Sequence, residues 1–248
     1  MPDYRISLWN YGHYSNVGTL EEAVAEIAQA GFGVELWPRW HDTPDLFDRS
    51  QRQRLGALLK GVRSSWHSGG VTDFNGHQRQ IDCAAHCGSD VIVVHAGNLQ
   101  VGGDQPDFGL AREAVAYAKQ RGITLCLENG ALSVIERTIE NVDGLMVCID
   151  TGHAYLVSPR PGEAPTGLRP YLDSFKERIR HLHVQDTLPE GDHYTPGTGT
   201  MPREDWEYLL HTMRDVGFRG AWVTEIRPRR PVRTALDTFA FLESLGPQ

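Results

Sequence analysis

The sequence predicts an α/β fold, a single (β/α)8 barrel in which parallel strands alternate with helices. Apolar, strand-like runs recur along the chain, and most of them end at or beside an acidic residue or a histidine. Polar side chains at the carboxyl ends of many strands are typical of a barrel whose site lies at that end. Glycines precede several of these runs, where the preceding helix has to stop. A length of 248 residues suits one such barrel, so one domain is expected over residues 1–248.

The first half of the chain alternates the signals of strands and helices. Strands are predicted at residues 5–9, 33–37, 62–67 and 91–95. Helices are predicted at about residues 20–28, at about 45–60, up to about 87 and at about 107–121. A capping box, Thr19-x-x-Glu22, marks the start of the first helix, and Gly31 marks its end. The stretch 10–18 before that helix is predicted to be a loop.

The second half continues the pattern and completes eight units. Strands are predicted at residues 123–128, 145–150, 179–184 and 221–226. A short helix is predicted from Ser133, another has Trp206 and Leu209 on its apolar face, and the last ends near Leu245. Stretches 158–170 and 185–201 are predicted to be loops, the first because it is rich in proline and glycine.

Composition narrows the function classes. The formal net charge of −8 argues against a nucleic acid partner. The four cysteines form no CxxC pair, which argues against a zinc ribbon or a redox motif. Strand alternation places Cys126 and Cys148 on the inner face of the barrel, one layer below the strand ends, as core side chains. The sequence shows no leader-like segment and no long apolar run, so we expect no signal peptide, no membrane span and a cytoplasmic protein.

One set of strand-end residues indicates a metal site. Glu128, Asp150, His183 and Glu225 end the fifth to eighth predicted strands, which are neighbours in a closed barrel. Three carboxylates this close would repel one another without a cation. Such a set suits Mn²⁺, Mg²⁺ or Co²⁺ and can also hold Zn²⁺. The sequence therefore predicts one divalent ion at the carboxyl end of the barrel.

Five motifs in this order resemble those of the xylose isomerase-like TIM barrels, a family that includes sugar isomerases, sugar epimerases and endonuclease IV. They are Leu127-Glu128-Asn129, Asp150-Thr151-Gly152-His153, His183-Val184-Gln185-Asp186, His193-x-x-x-Gly197-x-Gly199 and Thr224-Glu225. The resemblance spans nearly the whole chain. It implies that Glu128, Asp150, His183 and Glu225 bind the metal, that Glu128 and Glu225 also move protons, and that His153 contacts the substrate.

The resemblance to endonuclease IV keeps a nuclease among the alternatives. Its matching histidines imply further metals at His67 and His95, and at His153 and His193. The nuclease has an aspartate two residues before the last of these, where this chain has Gly191, with Asp192 adjacent. That departure and the acidic charge oppose a nuclease. The other role expected for His67 and His95 is a hydrogen bond to a small substrate or to a neighbouring residue, and His193 is expected to contact the substrate.

The substrate itself stays open. Ketose 3-epimerases of the family carry an arginine soon after the histidine that matches His183, whereas this chain has Thr-Leu-Pro at 187–189. Glu35 is expected either to bind a sugar hydroxyl or to form an ion pair near the rim. The run of Arg227, Arg229, Arg230 and Arg233 after Glu225 could bind an anionic group at the position where many barrels bind phosphate. A solvated loop is the alternative for that run.

These observations favour a divalent-metal-dependent isomerase or epimerase that acts on a sugar, sugar phosphate or related polyol by carboxylate-mediated proton transfer. The alternatives are an endonuclease IV-like enzyme for abasic DNA, a dehydratase or lyase that uses the same site, and a non-catalytic carbohydrate-binding protein. The expected partner is a small sugar or sugar phosphate, without nucleic acid or membrane. Assembly into a homo-oligomer stays open.

Overall fold

A computed structural model describes residues 2–14, 18–41, 43–103, 105–156, 165–227 and 230–246. Eight parallel strands close into a barrel in which each pairs with the next along the chain and the last pairs with the first. They are β1 (Asp3–Ser7), β2 (Gly33–Leu36), β3 (Ser64–His67), β4 (Val91–Val94), β5 (Thr124–Glu128), β6 (Met146–Asp150), β7 (Ile179–Val184) and β10 (Ala221–Thr224). A small antiparallel hairpin, β8 (Asp186–Leu188) and β9 (Gly191–Tyr194), lies between the last two barrel strands. The predicted (β/α)8 barrel is confirmed.

Helices connect the barrel strands. They are α1 (Trp9–Tyr14), α2 (Leu20–Gln29), α3 (Arg52–Leu58), α4 (Phe74–His86), α5 (Gly109–Gln120), α6 (Leu132–Asn141), α7 (His153–Leu156), α8 (Leu168–Phe175), α9 (Arg203–Asp215) and α10 (Pro231–Leu245). The predicted capping box of α2 is present, with Thr19 and Glu22 bonded reciprocally. Within the described ranges, no helix is long and apolar enough to cross a membrane.

Several connections differ from the prediction. The stretch 10–18 was expected to be a loop, but α1 occupies its first part. The helix expected at 45–60 is shorter in the structure, where a 3-10 turn at Arg49–Gln51 leads into α3. Residues 45–47 form a turn instead, in which Asp45 accepts a hydrogen bond from the Phe47 N–H and the side chains of Leu46 and Phe47 are buried. Helix α8 begins inside the predicted loop 158–170, whose residues 158–164 lie outside the described residues. The predicted loop 185–201 contains the hairpin β8–β9.

The barrel interior is layered along its axis. At the amino ends of the strands lies Arg5, 2% exposed and bonded to Asp3 and Asp90. A small apolar cluster of Val91, Val93, Cys126 and Cys148 occupies the interior. This confirms the inner, buried placement predicted for the two cysteines. Carboxylates and imidazoles fill the layer at the carboxyl ends, where the candidate site lies.

Candidate metal centre

Strand register brings the four predicted metal ligands together. Glu128 ends β5 and Asp150 ends β6, where Asp150 lies opposite His183 of β7. Glu225 directly follows β10, whose Val223 lies opposite His183. The four side chains are buried, and one donor atom from each lies within 4.8 Å of those from the others.

The imidazole of His183 turns Nδ1 toward this group. Nδ1 lies 2.9 Å from Glu225 Oε2, 3.2 Å from Glu128 Oε1 and 3.9 Å from Asp150 Oδ2. Its other nitrogen, Nε2, lies 3.0 Å from Glu35 Oε1 on the opposite side of the ring. Nδ1 is therefore the atom that His183 offers to an ion.

The electrostatics of the group fit a cation. Burial raises the pKa of Asp150 above its usual value, and the carboxylate of Glu128 adds to the rise. Burial acts the same way on Glu128 and Glu225, but His183 and other neighbouring imidazoles outweigh it and lower the pKa of both. Closely packed buried carboxylates with one imidazole nitrogen are a donor set suited to a hard or borderline divalent ion. The residues present therefore fit such an ion.

Two amide side chains hold Asp150 in place. Asn129 accepts a hydrogen bond from the Asp150 N–H (2.5 Å) and donates to the Asp150 carbonyl oxygen (3.0 Å). Gln185 Nε2 donates to Asp150 Oδ2 (2.6 Å), and the N–H of His153 donates to Oδ1 (2.8 Å). The role of Gln185 was not predicted, although strand alternation places it two residues after His183 and so on the same face.

Glu35 lies beneath the centre rather than at its opening. The side chain is fully buried and contacts Ser65, His181 and His183, with His181 Nε2 2.7 Å from Glu35 Oε2. A fully buried carboxylate with these partners does not reach a substrate hydroxyl, so neither a sugar contact nor a rim ion pair fits Glu35. Burial would raise its pKa, but His183 and His181 outweigh this and hold the pKa well below its usual range.

His67 and His95 approach the outer oxygen of Glu128. His67 Nε2 lies 3.3 Å and His95 Nδ1 lies 3.2 Å from Glu128 Oε2, and the three form a second group that could hold an ion. Burial would lower the pKa of His67, but Glu128 raises it, whereas burial prevails at His95 and lowers its pKa. Trp37 stacks on His67, with ring centroids 4.2 Å apart.

A third group of residues that could hold an ion lies where the hairpin β8–β9 meets the site. His153 Nε2 lies 3.7 Å from Asp192 Oδ2, and His193 Nε2 lies 3.6 Å from Asp192 Oδ1. Gly191 occupies the position of the nuclease's aspartate, and the adjacent Asp192 lies beside both histidines in the irregular hairpin, where His193 has a left-handed backbone conformation (φ 65°). Burial would lower the pKa of His153, but Asp150 and Glu128 raise it to about 10.

The arginines that follow Glu225 in the sequence lie in different surroundings. Arg227 lies beside the hairpin, with Nη2 3.3 Å from Asp192 Oδ1 and its N–H bonded to the His193 carbonyl oxygen. Arg230 is exposed ahead of α10, and Arg233 pairs with Asp237 on that helix. Arg229 lies outside the described residues. The structure thus places Arg227, and not Arg233, beside the candidate site.

Fold and site together define the protein as a (β/α)8 barrel with a carboxylate–histidine centre at the carboxyl ends of its strands. The sequence profile of the xylose isomerase-like TIM barrel family matches residues 71–245, and the chain belongs to this family. The resemblance found in the sequence is thereby confirmed. A comparison with curated protein sequences gives no match.

Solved structures with the same fold cover nearly the whole chain. A D-tagatose 3-epimerase-like protein is 17% identical with a TM-score of 0.71, over 98% of this chain and 96% of that one. The apo form of 3-keto-D-glucoside 4-epimerase from E. coli is 18% identical with a TM-score of 0.69, and the match covers 98% of this chain and 100% of that one. A protein from Thermus thermophilus soaked with ZnCl2 is 23% identical with a TM-score of 0.65, and the match covers 99% of this chain and 100% of that one. At these identities the likeness establishes the fold.

Proposed function

We propose that the protein is a divalent-metal-dependent isomerase or epimerase that acts on a sugar, sugar phosphate or related polyol by carboxylate-mediated proton transfer. One observation carries the proposal. Glu128 and Glu225, from strands that flank β6 and β7, face the same nitrogen of His183 at 3.2 and 2.9 Å. Two carboxylates that approach one point from different sides can serve the two faces of a small substrate. Two structural neighbours, a D-tagatose 3-epimerase-like protein and a 3-keto-D-glucoside 4-epimerase, bear names that agree with this activity.

The chain's own residues supply the proton transfer. A bound Mn²⁺, Mg²⁺, Co²⁺ or Zn²⁺ would polarise a substrate carbonyl and its neighbouring hydroxyl, which acidifies the carbon-bound hydrogen between them. Glu128, Asp150, His183 and Glu225 would hold that ion. Glu128 or Glu225 would take the proton, and either the same carboxylate or its partner would return one.

The imidazoles around Glu128 keep its carboxylate ionised. His153 Nδ1 lies 3.3 Å from Oε1, and His67 and His95 lie near Oε2. Burial would raise the pKa of Glu128, but His153, His183 and His67 outweigh it and hold the pKa well below the usual range, so the carboxylate is ionised at neutral pH. His153 lies beside Glu128 and its ring is partly exposed, so it can donate a hydrogen bond to a substrate oxygen.

Turnover in D2O tests this mechanism. The purified protein, loaded with Mn²⁺, is incubated with a panel of ketoses and their phosphates, and products are analysed by NMR. We expect inversion or carbonyl migration with deuterium appearing at the carbon that exchanges its proton. Glu128→Gln and Glu225→Gln should each lower kcat by about 10²–10⁴-fold. Complete retention of the original hydrogen, or near-normal activity in both variants, contradicts the proposal, and loss of water from the substrate identifies a dehydratase instead.

A second candidate is a metal-dependent phosphodiesterase of the endonuclease IV type. The observation in its favour is the presence of two further donor groups, His67–His95–Glu128 and His153–Asp192–His193, beside the central four residues. Several ions at such spacing can stabilise both the attacking and the leaving oxygen of a phosphoryl transfer. Elemental analysis of the purified protein and an assay on an abasic DNA duplex separate the candidates. Three tightly bound ions per chain with cleavage of the duplex would establish the nuclease.

A further inference from the structure

We infer that Glu35 is a positioning residue that orients the His183 ring with Nδ1 toward the proposed metal centre. Contacts with His181 and Ser65 hold Glu35 itself in place. The inference rests on the proposed metal centre but concerns a residue that lies outside the ligand set. Glu35 touches none of the reacting groups, because it lies behind the ring of His183.

The two nitrogens of His183 face different partners. Nδ1 lies 2.9 Å from Glu225 Oε2 in the centre, and Nε2 lies 3.0 Å from Glu35 Oε1 behind it. A neutral imidazole carries one proton, so a ring that offers the Nδ1 lone pair to an ion must carry its hydrogen on Nε2. Glu35 Oε1 is placed to accept that hydrogen, and the pair selects the required tautomer.

Both atoms of this contact are otherwise unsatisfied. In the part of the chain that the structure describes, neither Glu35 Oε1 nor His183 Nε2 forms a hydrogen bond of good geometry, although both are buried. Buried polar groups are costly to leave unpaired. At a separation of 3.0 Å, each atom is the nearest available partner of the other, and a proton shared between them would satisfy both.

Glu35 itself is held firmly. Its other oxygen, Oε2, accepts from Ser65 Oγ at 3.1 Å and lies 2.7 Å from His181 Nε2. Ser65 lies opposite Glu35 in the β2–β3 register, while His181 lies in β7, the strand of His183. Glu35 therefore reaches across the barrel, and its carboxylate is anchored on both sides of the interior.

Such an anchor has a measurable consequence for metal binding. A carboxylate that accepts the free N–H of a ligating histidine orients the ring and raises its basicity, and losing it usually weakens metal affinity about 10- to 100-fold. A carboxylate that served only to neutralise His181 would leave the affinity unchanged. The group Glu35–His181–His183 could also hold an ion of its own, in which case losing Glu35 would remove that ion altogether.

Titration of the metal-stripped protein with Mn²⁺, followed by the EPR signal of the free ion, distinguishes these roles without any activity measurement. We expect Glu35→Gln to bind as many equivalents as the wild type, with Kd raised about 10- to 100-fold. The matched control is Glu243→Gln, which removes the charge of a carboxylate that accepts from Tyr4 at the far end of the barrel, and this variant should bind Mn²⁺ normally. At saturating Mn²⁺, kcat of Glu35→Gln should recover toward the wild-type value, a rescue that a general packing defect would not show.

A second variant covers the case in which Glu35→Gln does not fold. Ser65→Ala removes one of the two contacts that hold Glu35 Oε2 and should raise the Kd for Mn²⁺, by less than the change expected for Glu35→Gln. Unchanged Kd in the variant that folds, or loss of a whole equivalent in Glu35→Gln, overturns the positioning role. Wild-type protein that binds Mn²⁺ but turns over no sugar contradicts the proposed function alone. Wild-type protein that binds no Mn²⁺ contradicts both.

Discussion

Gln185 joins the candidate metal centre to the hairpin β8–β9 through a hydrogen bond to Asp150, Nε2 to Oδ2, at 2.6 Å. Its other amide atom, Oε1, accepts from the N–H of His193 in β9. One side chain thus fixes a predicted ligand and the hairpin that carries the third donor group. The amide has little room, because a Cβ on Gly152 would lie 2.7 Å from Gln185 Cδ.

We predict that Gly152→Ala displaces Gln185 from Asp150. The added methyl group overlaps the amide of Gln185, so the free energy of unfolding should fall by about 1–3 kcal/mol. The Kd for Mn²⁺ should rise as Asp150 loses its partner. Urea unfolding and Mn²⁺ titration measure the two effects. Gly97→Ala is the control, since its Cβ meets no atom within 4 Å, and equal behaviour of the two variants would refute the displacement.

Local sequence patterns could predict the strands and the centre. Apolar runs that end on an acidic residue are visible in the sequence and predict Glu128 and Asp150 at strand ends. The alternation of side chains along a strand then predicts Cys126 and Cys148 one layer below them. The capping box at Thr19 is likewise a local signal. Convergence of the four predicted ligands follows from the neighbour order of a closed barrel.

Features that depend on depth or on an irregular backbone could not be predicted. Glu35 contacts His183 across the barrel, so its role depends on how far below the opening its carboxylate lies. His181 shares a face with His183 by alternation, which is the signal that could have identified it. Asp192 reaches the site through an irregular hairpin with a left-handed residue at His193, and no residue pattern encodes that register.

Removal of Asp150 should empty the centre. Asp150→Ala deletes a buried carboxylate oxygen that lies 3.9 Å from the ligand nitrogen of His183, so the proposed ion loses one of its four donors. We expect metal content after purification to fall from about one divalent ion per chain to near zero. Inductively coupled plasma mass spectrometry measures it, with circular dichroism to confirm folding. Unchanged metal content would count heavily against the four-residue site.

A substitution at His95 distinguishes a site that holds one metal ion from a site that holds several. Its side chain is half exposed and contacts Glu128 Oε2 at 3.2 Å. If the protein is the proposed isomerase with a single ion, His95→Ala should keep the full metal content and raise KM by about tenfold, the effect of losing one hydrogen bond of about 1.4 kcal/mol to the substrate. Loss of one equivalent of metal from this variant would instead assign His95 as a ligand and favour the phosphodiesterase.

Arg227 is expected to favour an anionic substrate. Its guanidinium lies at the rim of the site beside Asp192, at 3.3 Å. Arg227→Ala should raise KM for a phosphorylated sugar about tenfold and leave KM for the neutral sugar nearly unchanged, because a guanidinium binds phosphate through paired, charge-assisted hydrogen bonds. Steady-state kinetics on both substrates tests this. Arg233→Ala, which breaks an exposed pair on α10, is the control, and equal effects on the two sugars would exclude a phosphate contact.

The amino end of the barrel should make stability depend on pH. Arg5 is 2% exposed and binds both oxygens of Asp90, at 2.7 and 2.6 Å. Burial would raise the pKa of Asp90, but Arg5 outweighs it and lowers the pKa below the unfolded-state value of about 3.9. The pair therefore stabilises the fold above about pH 4, and this contribution disappears as pH falls through the lowered folded-state pKa.

Asp90→Asn should accordingly lower the free energy of unfolding by about 1 kcal/mol at pH 7. The value stays small because Asp90 is 59% exposed, so water screens the pair, and because Asp3 still binds Arg5. The difference between wild type and variant should hold steady from pH 7 to 5 and shrink below pH 4, as urea unfolding at each pH would show. Asp237→Asn breaks the exposed pair with Arg233 and should change stability by less than about 0.5 kcal/mol at any pH. A difference for Asp90→Asn that widens toward low pH would have the wrong sign for a carboxylate stabilised by Arg5.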